Sequence, residues 1–517
     1  MTVGVGIDLG TTRCCVYVRK HGCKPEVVLN ADGEPITPSW IRYEQGDNEV
    51  GKFAKEQSPE HPTNTVHSAK RIIGRNFAEE AVRTEKDRMP FKIINENGSP
   101  VVQVEQLSES NEIIWRKTFR PEQISGTILA YLKTTAEHFL ATDVSQAVVT
   151  VPANFTEPQR AATLSAAYLA GFSDVTLLNE PTAAAIAYGD ALDQQSTILV
   201  FDFGGGTLDI TIMRVEARGE YRVITTDGDM HLGGEDFDEA IVNYFLRDIE
   251  QKHGVNLTES AKARAALKII AEDAKIALSS SKTPKYRKFA HGLLGHVKYE
   301  AVLLRETFNA MFSDMQEKIL APVNRALTAA KILAPDIDKV VLVGGSSKLP
   351  AVKEMLKRFF GKNDAICADT NPDEIVARGA AIQSYRINGG QISNIQEVTA
   401  YYYGLEVVDD TQNKDYVSRL ISRGDPYPCR VTRSFGTCDN KQSEATFVIH
   451  QSRNGFDVDQ FRIGEFTIDG LPPRPAGECE FYVTFYTDAS NILHATAKGK
   501  GDIANYEKNI KIILDNA

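Results

Sequence analysis

An apolar run over residues 3–7 breaks off at Asp8-Leu9-Gly10-Thr11-Thr12, and apolar positions resume at Cys14-Cys15-Val16-Tyr17-Val18. That pattern predicts two strands joined by a tight glycine turn. The cadence returns at residues 198–202, which lead into Phe203-Gly204-Gly205-Gly206-Thr207-Leu208-Asp209 before 210–215 resume as a strand. A third strand and glycine turn lie at 340–347, and Pro350 opens a helix over 351–360. Between these, the spacing predicts a helix over 121–140, a buried strand over 147–152 and an alanine-rich helix over 157–171 stopped by Gly171. Strand and helix alternate, and the repeated hairpins predict one α/β unit duplicated into two lobes.

Past a helix predicted over 374–385 the pattern changes. Asn388-Gly389-Gly390-Gln391 is a breaker cluster, and β segments follow at 445–450, 465–468, 480–486, 493–497 and 509–514. Phe481, Val483 and Phe485 alternate with polar or half-polar neighbours, as in a strand with one buried face. A chain of 517 residues exceeds what one core supports. The expected division is 1–388, a linker over 389–397, and an all-β sandwich over 398–517. The last predicted strand leaves no room in this sequence for a sizeable helical element after it.

Composition narrows the partners. Hydrophobic residues make up 42% and charged residues 25%, and no apolar run reaches the roughly 18 residues of a membrane span. No membrane association is expected. A net charge of −11 argues against direct nucleic-acid binding. The seven cysteines, Cys14, Cys15, Cys23, Cys367, Cys429, Cys438 and Cys479, form no C-x-x-C pair and signal neither a disulfide framework nor a zinc site. No signal-peptide leader opens the sequence and no retention signal closes it, so the cytosol is the expected compartment.

The glycine turns carry the candidate chemistry. Phosphate oxygens need backbone N–H groups at close range, and Gly10, Gly204, Gly205 and Gly206 permit that approach. Neither the G-x-x-x-x-G-K-[ST] loop nor a G-x-G-x-x-G after the first strand occurs, so another phosphate-binding solution is implied. One D-x-G-T-T turn alone reads as an ordinary hairpin. Two in opposing lobes would let Asp8 and Asp202 hold a hydrated Mg²⁺ while Thr11, Thr12 and Thr207 present hydroxyls to the β and γ phosphates.

Five segments then combine in order: Asp8-Leu-Gly-Thr-Thr, Lys70-Arg-Ile-Ile-Gly-Arg, Asn179-Glu-Pro-Thr-Ala-Ala-Ala, Asp202-Phe-Gly-Gly-Gly-Thr-Leu-Asp, and His231-Leu-Gly-Gly-Glu-Asp-Phe-Asp. With Val343-Gly-Gly-Ser-Ser-Lys-Leu-Pro and Asn371-Pro-Asp-Glu-Ile-Val-Ala-Arg-Gly-Ala-Ala, the chain resembles the 70-kDa heat-shock chaperones over nearly its whole length. The resemblance implies a two-lobed, actin-like ATPase domain followed by a small β-sandwich peptide domain. It implies ATP and ADP as ligands with Mg²⁺, and K⁺ as a further candidate ion. It assigns Lys70, Glu180, Asp209 and Thr207 to hydrolysis. Glu272, Lys275 and Ser279, at i, i+3 and i+7 on one helix face, would touch adenosine. As bare sequence, Glu272 and Lys275 read equally well as a surface ion pair. Gly344, Gly345, Ser346 and Asp373 would form the opposite wall, with Lys348 where many members carry arginine, which puts guanidinium stacking on the base in question. Pro152 and Arg160 match the family's relay between nucleotide state and peptide domain.

Other features depart from the family pattern. Its leucine-rich linker is replaced by Gln391-Ile-Ser-Asn-Ile-Gln-Glu397, and burying Ser393, Asn394 and Gln396 in an apolar groove would cost several kcal/mol without partners. Leu405, Val408, Phe435, Ala445 and Phe447 align with the peptide pocket, or are simply sandwich core. No helical lid is expected, which resembles the short, ribosome-associated branch. The implied function is an ATP-hydrolysing chaperone that binds unfolded or nascent peptide weakly, with a J-domain co-chaperone and a nucleotide exchange factor as partners. The contrasting reading is a non-catalytic ATP-binding scaffold for a J-domain protein, for example at the ribosome.

Overall fold

The computed structural model describes residues 3–511 apart from 109, 111, 190–194, 217–219, 280–282, 295–296, 362–364, 368–370, 390–394, 410–413 and 458–459. Each lobe is built on a mixed sheet of the same plan. In the first, the strands run in the order Asp174–Asn179, Gln146–Val151, Val3–Leu9, Arg13–Lys20, Glu26–Val27. In the second the order is Ile366–Cys367, Lys339–Val343, Ser196–Phe203, Leu208–Glu216, Glu220–Asp229. Both place a glycine-turned antiparallel hairpin beside two parallel strands. Parallel neighbours need a crossover, and helices Glu157–Leu169 and Pro350–Phe360 supply it in the two lobes. The duplication expected from the repeated hairpins is thus carried in strand order and in direction.

Local chemistry sets these elements. Helix Glu157–Leu169 starts where the Gln159 side chain accepts a hydrogen bond from the Thr156 N–H at 3.0 Å, satisfying a donor that the first turn leaves free. Helices Glu180–Gly189 and Ile375–Asn388 follow the outer strands of the two lobes and cross backbone to backbone. A Cβ on Gly379 would fall 1.7 Å from the Ala183 carbonyl oxygen, so only glycine permits this approach. Two parts escaped the apolar pattern: the sheet of Lys92–Glu96, Ser99–Leu107 and Ile113–Phe119, and the hairpin of Lys285–Leu294 with Val297–Leu304. Each lobe keeps its own core, around Ile7, Val149 and Leu129 in the first and Phe201, Phe237 and Leu342 in the second.

The β region folds as two four-stranded sheets. One runs Lys414–Ile421, Tyr402–Asp409, Glu444–Ser452, Phe461–Asp469; the other runs Cys429–Gly436, Glu480–Thr487, Leu493–Gly499, Glu507–Lys511. Phe447, Ile449, Phe481, Val483 and Phe485 fill the space between them. The strand expected over 509–514 is Glu507–Lys511, with 512–514 outside the described residues.

The expected linker contains a strand. Ile395–Val398 pairs in parallel with Glu220–Asp229 of the second lobe and antiparallel with Pro426–Tyr427. Ser393 and Asn394 lie outside the described residues. Strand alternation turns Gln396 to solvent and Glu397 inward, so the burial penalty expected for Gln396 does not arise. The buried polar group here is the Glu397 carboxyl.

Candidate functional site

The two glycine turns face each other across a cleft. A Cβ on Gly205 would stand 2.4 Å from the Thr12 hydroxyl oxygen, and one on Gly206 would stand 2.8 Å from that of Thr11. The third turn closes against them: Ser346 donates its hydroxyl to the Gly204 carbonyl at 2.8 Å. Gly344 has φ +78°, and a Cβ there would lie 2.4 Å from the Phe203 oxygen. The cleft encloses about 440 Å³, within the usual range for a small-molecule site. Asp8, Gly10, Thr11, Thr12, Lys70 and Glu180 line it from the first lobe. Asp202, Gly204, Gly205, Gly206 and Thr207 face them from the second. Asp209 alone of the residues assigned to phosphate chemistry does not line the cavity; it lies opposite Asp202 in the hairpin, fully buried.

Carboxylates outnumber cations at the deep end. Lys70 Nζ, buried, lies 2.6 Å from Glu180 Oε1 and donates to the Leu9 carbonyl at 2.5 Å. Burial pulls its pKa down, but Glu180 and Asp8 more than offset that and raise it. Asp8 is pushed up to about 7 by burial and by Glu180, although the Thr150 hydroxyl donates to it at 3.2 Å. Asp202 is raised well above its ordinary value by burial, Glu180, Asp209 and Asp8. Asp209 rises to about 6 through burial and Glu180, with the Asn154 side-chain amide donating to Oδ1 at 2.7 Å. Four carboxyl groups thus share one buried ammonium, an environment that a divalent cation relieves by restoring ionisation. Among the described residues no three acidic, histidine or cysteine side chains converge as a direct ligand cage. The donor set fits Mg²⁺ held through one or two carboxylates, water and phosphate.

The shallow end is walled by helix Ala261–Ser279. Glu272, Lys275 and Ser279 all line the cavity, as the helical spacing predicts, and Gly344, Gly345, Ser346, Lys348 and Asp373 form the other side. Glu272 and Lys275 are not paired with each other. Glu272 accepts from Lys55 Nζ at 2.6 Å and Arg13 Nη2 at 3.0 Å, and these cations overcome burial to bring its pKa down to about 2. Lys275 instead bonds Asp238 at 2.7 Å and the Gly234 carbonyl at 2.9 Å. Lys348 pairs with Asp373. Arg13 and Ile276 are among the lining residues that the sequence pattern did not assign to the site. Arg13, at the exit of the first turn, spans the cleft to Glu272; Ile276, four positions beyond Glu272 on the same face, offers an apolar surface and is 52% exposed. Their only sequence signal was position relative to the motifs.

Pro152 ends strand Gln146–Val151, buried, and Arg160 is 1% exposed. Arg160 donates to the Asn179 side-chain oxygen at 2.7 Å and to the Ala153 carbonyl at 3.2 Å. Asn179 in turn donates to the Tyr427 hydroxyl at 3.1 Å. Asn154, which holds Asp209, accepts the Tyr401 hydroxyl on its carbonyl at 2.6 Å. Hydrogen bonds therefore run from Asp209, beside the cleft, into the β domain. Asn179 was legible only as the first residue of a motif, and Asn154, Tyr401 and Tyr427 had no role assigned from sequence, because each is buried only by the tertiary fold.

A second cavity, about 700 Å³, opens in the β sandwich, and Leu405, Val408, Phe435, Ala445 and Phe447 all line it. Leu405, Ala445 and Phe447 are also buried members of the sandwich core, Phe435 is half-buried against it, and Val408 is 41% exposed at the rim. Leu405, Ala445 and Phe447 are thus core residues that also line the cavity, and Val408 lies at its edge.

Duplicated lobes closing on paired glycine turns, with a two-sheet sandwich appended, define an actin-like ATPase fold joined to a β-sandwich domain. The Hsp70 protein family model matches residues 4–516. The heat shock 70 kDa protein BIP3 of Oryza sativa subsp. japonica is 38% identical over 502 residues, covering 95% of this chain and 73% of that protein. A heat shock 70 kDa protein of Neurospora crassa is 37% identical over 510 residues, covering 97% and 76%. The chain belongs to the Hsp70 family, whose members are ATPases that bind polypeptide and work with co-chaperones.

Proposed function

We propose that this chain binds Mg·ATP between its glycine turns, hydrolyses it slowly, and uses nucleotide state to modulate weak binding of unfolded or nascent peptide. The observation that carries the reading is the opposition of Thr11 and Thr12 to Gly206 and Gly205 above a buried Lys70–Glu180 pair. Mg²⁺, when bound, neutralises phosphate charge, and Asp8 and Asp202 are the side chains that would hold it. Lys70 stabilises charge developing on the transferred phosphoryl group. Glu180 orients Lys70, and Asp209 acts through Asn154 and Thr207 rather than by touching the phosphate. The hydrogen bonds from Asn154 and Asn179 to Tyr401 and Tyr427 support coupling between the sites. The linker strand weakens the case for an uncoupled scaffold, since the polar Gln396 faces solvent. J-domain and nucleotide-exchange partners follow from the family. The free cysteines suit a reducing compartment such as the cytosol. No described helix is long and apolar enough to cross a membrane.

Three measurements test this. Single-turnover hydrolysis of radiolabelled ATP should show Mg²⁺-dependent phosphate release. Release of a labelled unfolded peptide should be faster with ATP than with ADP. Absence of Mg·ATP heat in calorimetry would remove the nucleotide reading, and equal release rates would remove the coupling.

A further inference from the structure

Arg13 is a cation that the acids around it do not need. Those acids are Glu272, Asp373 and Asp238, which line the same end of the cleft. Each already has a lysine: Lys55 at 2.6 Å from Glu272, Lys348 on Asp373, and Lys275 at 2.7 Å from Asp238. Arg13 leaves the first lobe at the start of strand Arg13–Lys20 and reaches across the cleft, with Nη2 3.0 Å from Glu272 Oε1 and Nη1 3.9 Å from Asp373 Oδ2. A Cβ on Gly345 would stand 3.9 Å from that same Nη1. The guanidinium therefore lies between the two walls of the shallow end, helix Ala261–Ser279 on one side and the third glycine turn on the other. Its side chain is 36% exposed, which places it at the mouth of the cleft and not in a core. Ion pairing alone does not call for a guanidinium there, because Lys55 has already met the charge of Glu272.

A guanidinium differs from an ammonium in having a flat, weakly hydrated face that packs on aromatic rings. Lys348, on the opposite wall, has no such plane and is tied to Asp373. Ile276, one helical turn beyond Glu272, adds apolar surface to the same cavity. We propose that Arg13 is a specificity-determining residue for the nucleoside: its guanidinium, held at its edge by Glu272 and Asp373, stacks on the purine from the first lobe, with Ile276 as the apolar surface beside it. The inference rests on the nucleotide reading above and gives the base a contact that reading leaves open. Arg13 belongs to the first lobe and the two carboxylates that hold it belong to the second. Recognition of the base therefore requires the lobes to be closed on each other, whereas each glycine turn can meet phosphate on its own.

The test titrates Mg·ATP and Mg·tripolyphosphate into the full chain as wild type, R13A, R13K and R13Y. R13A should bind Mg·ATP about tenfold more weakly, the usual worth of one stacked base contact. R13K keeps the charge and loses the plane, and should be weakened as much. R13Y loses the charge and keeps a plane, and should stay closer to wild type than either. Single-turnover hydrolysis at saturating Mg·ATP should be unchanged in all three, as for a contact made equally in the ground and transition states. Tripolyphosphate, which has no base, should bind all four proteins alike. Arg13 sits at the mouth of the cleft, so thermal melts of the apo proteins should coincide. Should R13A unfold, R13K against R13Y decides, since that pair separates charge from plane as well. Wild-type Mg·ATP affinity in R13K overturns the stacking in favour of a charge effect, and so does a fall in tripolyphosphate binding. Unchanged affinity in R13A overturns the contact altogether, and tighter binding would make Arg13 a plug. A wild-type chain that gives no heat with Mg·ATP fails the nucleotide reading itself, whereas a wild type that binds beside unaltered variants fails the Arg13 assignment alone.

Discussion

Lys70 is a lysine shut away from solvent between a carboxylate and a backbone carbonyl, and its charge survives there because Glu180 and Asp8 hold the proton on. Lys70→Ala should lower the single-turnover hydrolysis rate by about 10²–10³-fold, the usual effect of removing one group that meets transition-state charge. Calorimetric Mg·ATP affinity should change far less, because the glycine turns remain. An unaltered rate would exclude the assigned role. The same substitution leaves Glu180 buried without its partner and should cost about 3 kcal/mol in a urea melt of the apo protein. Lys70, Glu180, Asp8 and Asp202 were legible because each sits inside a motif of fixed order. Asp209 was legible as a residue but not as one set back from the cavity. Arg13 and Ile276 are unremarkable by type and acquire meaning only from the helix and turn that bring them to the cleft.

Among the elements, the hairpins were readable because a buried period-two strand, a glycine turn and a returning strand form a strong local signal. The helix–helix crossing at the centre of the duplicated lobes was not, since Gly379 looks like any glycine in an alanine-rich helix. Its space is nonetheless fully taken: an added Cβ would stand 1.7 Å from the Ala183 oxygen, and backbone cannot yield as a side chain can. Gly379→Ala should destabilise the fold by about 3 kcal/mol, the upper range for overpacking. Gly254 is the comparison: φ is +68° at a helix C-terminus with nothing within 4 Å of its would-be Cβ. Gly254→Ala should cost only the 1–2 kcal/mol or so of left-handed strain. Urea denaturation of both variants checks the order, and a smaller loss at Gly379 would mean the helices can separate without penalty. The linker strand was illegible for a different reason. Its pairing is non-local, and Gln396 disguises a short strand whose inward face is Glu397 and whose outward face is polar.

At the scale of the whole molecule, the β domain is held to the lobes by groups that titrate in opposite senses. Ile492 packs into the first-lobe core, and the adjacent Leu493 N–H donates to Glu157 Oε1 at 2.6 Å. Burial is the main cause that pushes the Glu157 pKa from its ordinary 4.5 up to about 8, with Asp488 adding to it and Arg160 and the Leu493 N–H opposing. On the second lobe, Asp227 receives Arg325 at 2.6 Å and, from the β domain, Arg423 at 3.2 Å and Arg453 at 3.3 Å. Against burial, Arg325 and Arg453, with the Gly228 N–H, hold its pKa below the ordinary 3.8. A raised carboxyl favours docking below pH 4.5 and withdraws that support as pH climbs to about 8, because the docked state must then lose a proton it binds more tightly. A lowered carboxyl acts oppositely: Asp227 supports docking above pH 3.8 and loses it as acid protonates the group. Docking, followed by energy transfer between dyes on a lobe and on the sandwich, should therefore be strongest near pH 4–5 and weaken on both sides. One proton limits the alkaline fall to at most tenfold per pH unit. Glu157→Gln keeps an acceptor for Leu493 and should flatten the alkaline limb alone. Asp227→Asn should weaken docking above pH 3.8, where the wild-type carboxylate is charged, and so remove the acid limb. An alkaline limb that survives in Glu157→Gln would mean that another buried acid at the interface, Glu397 foremost, carries the proton instead.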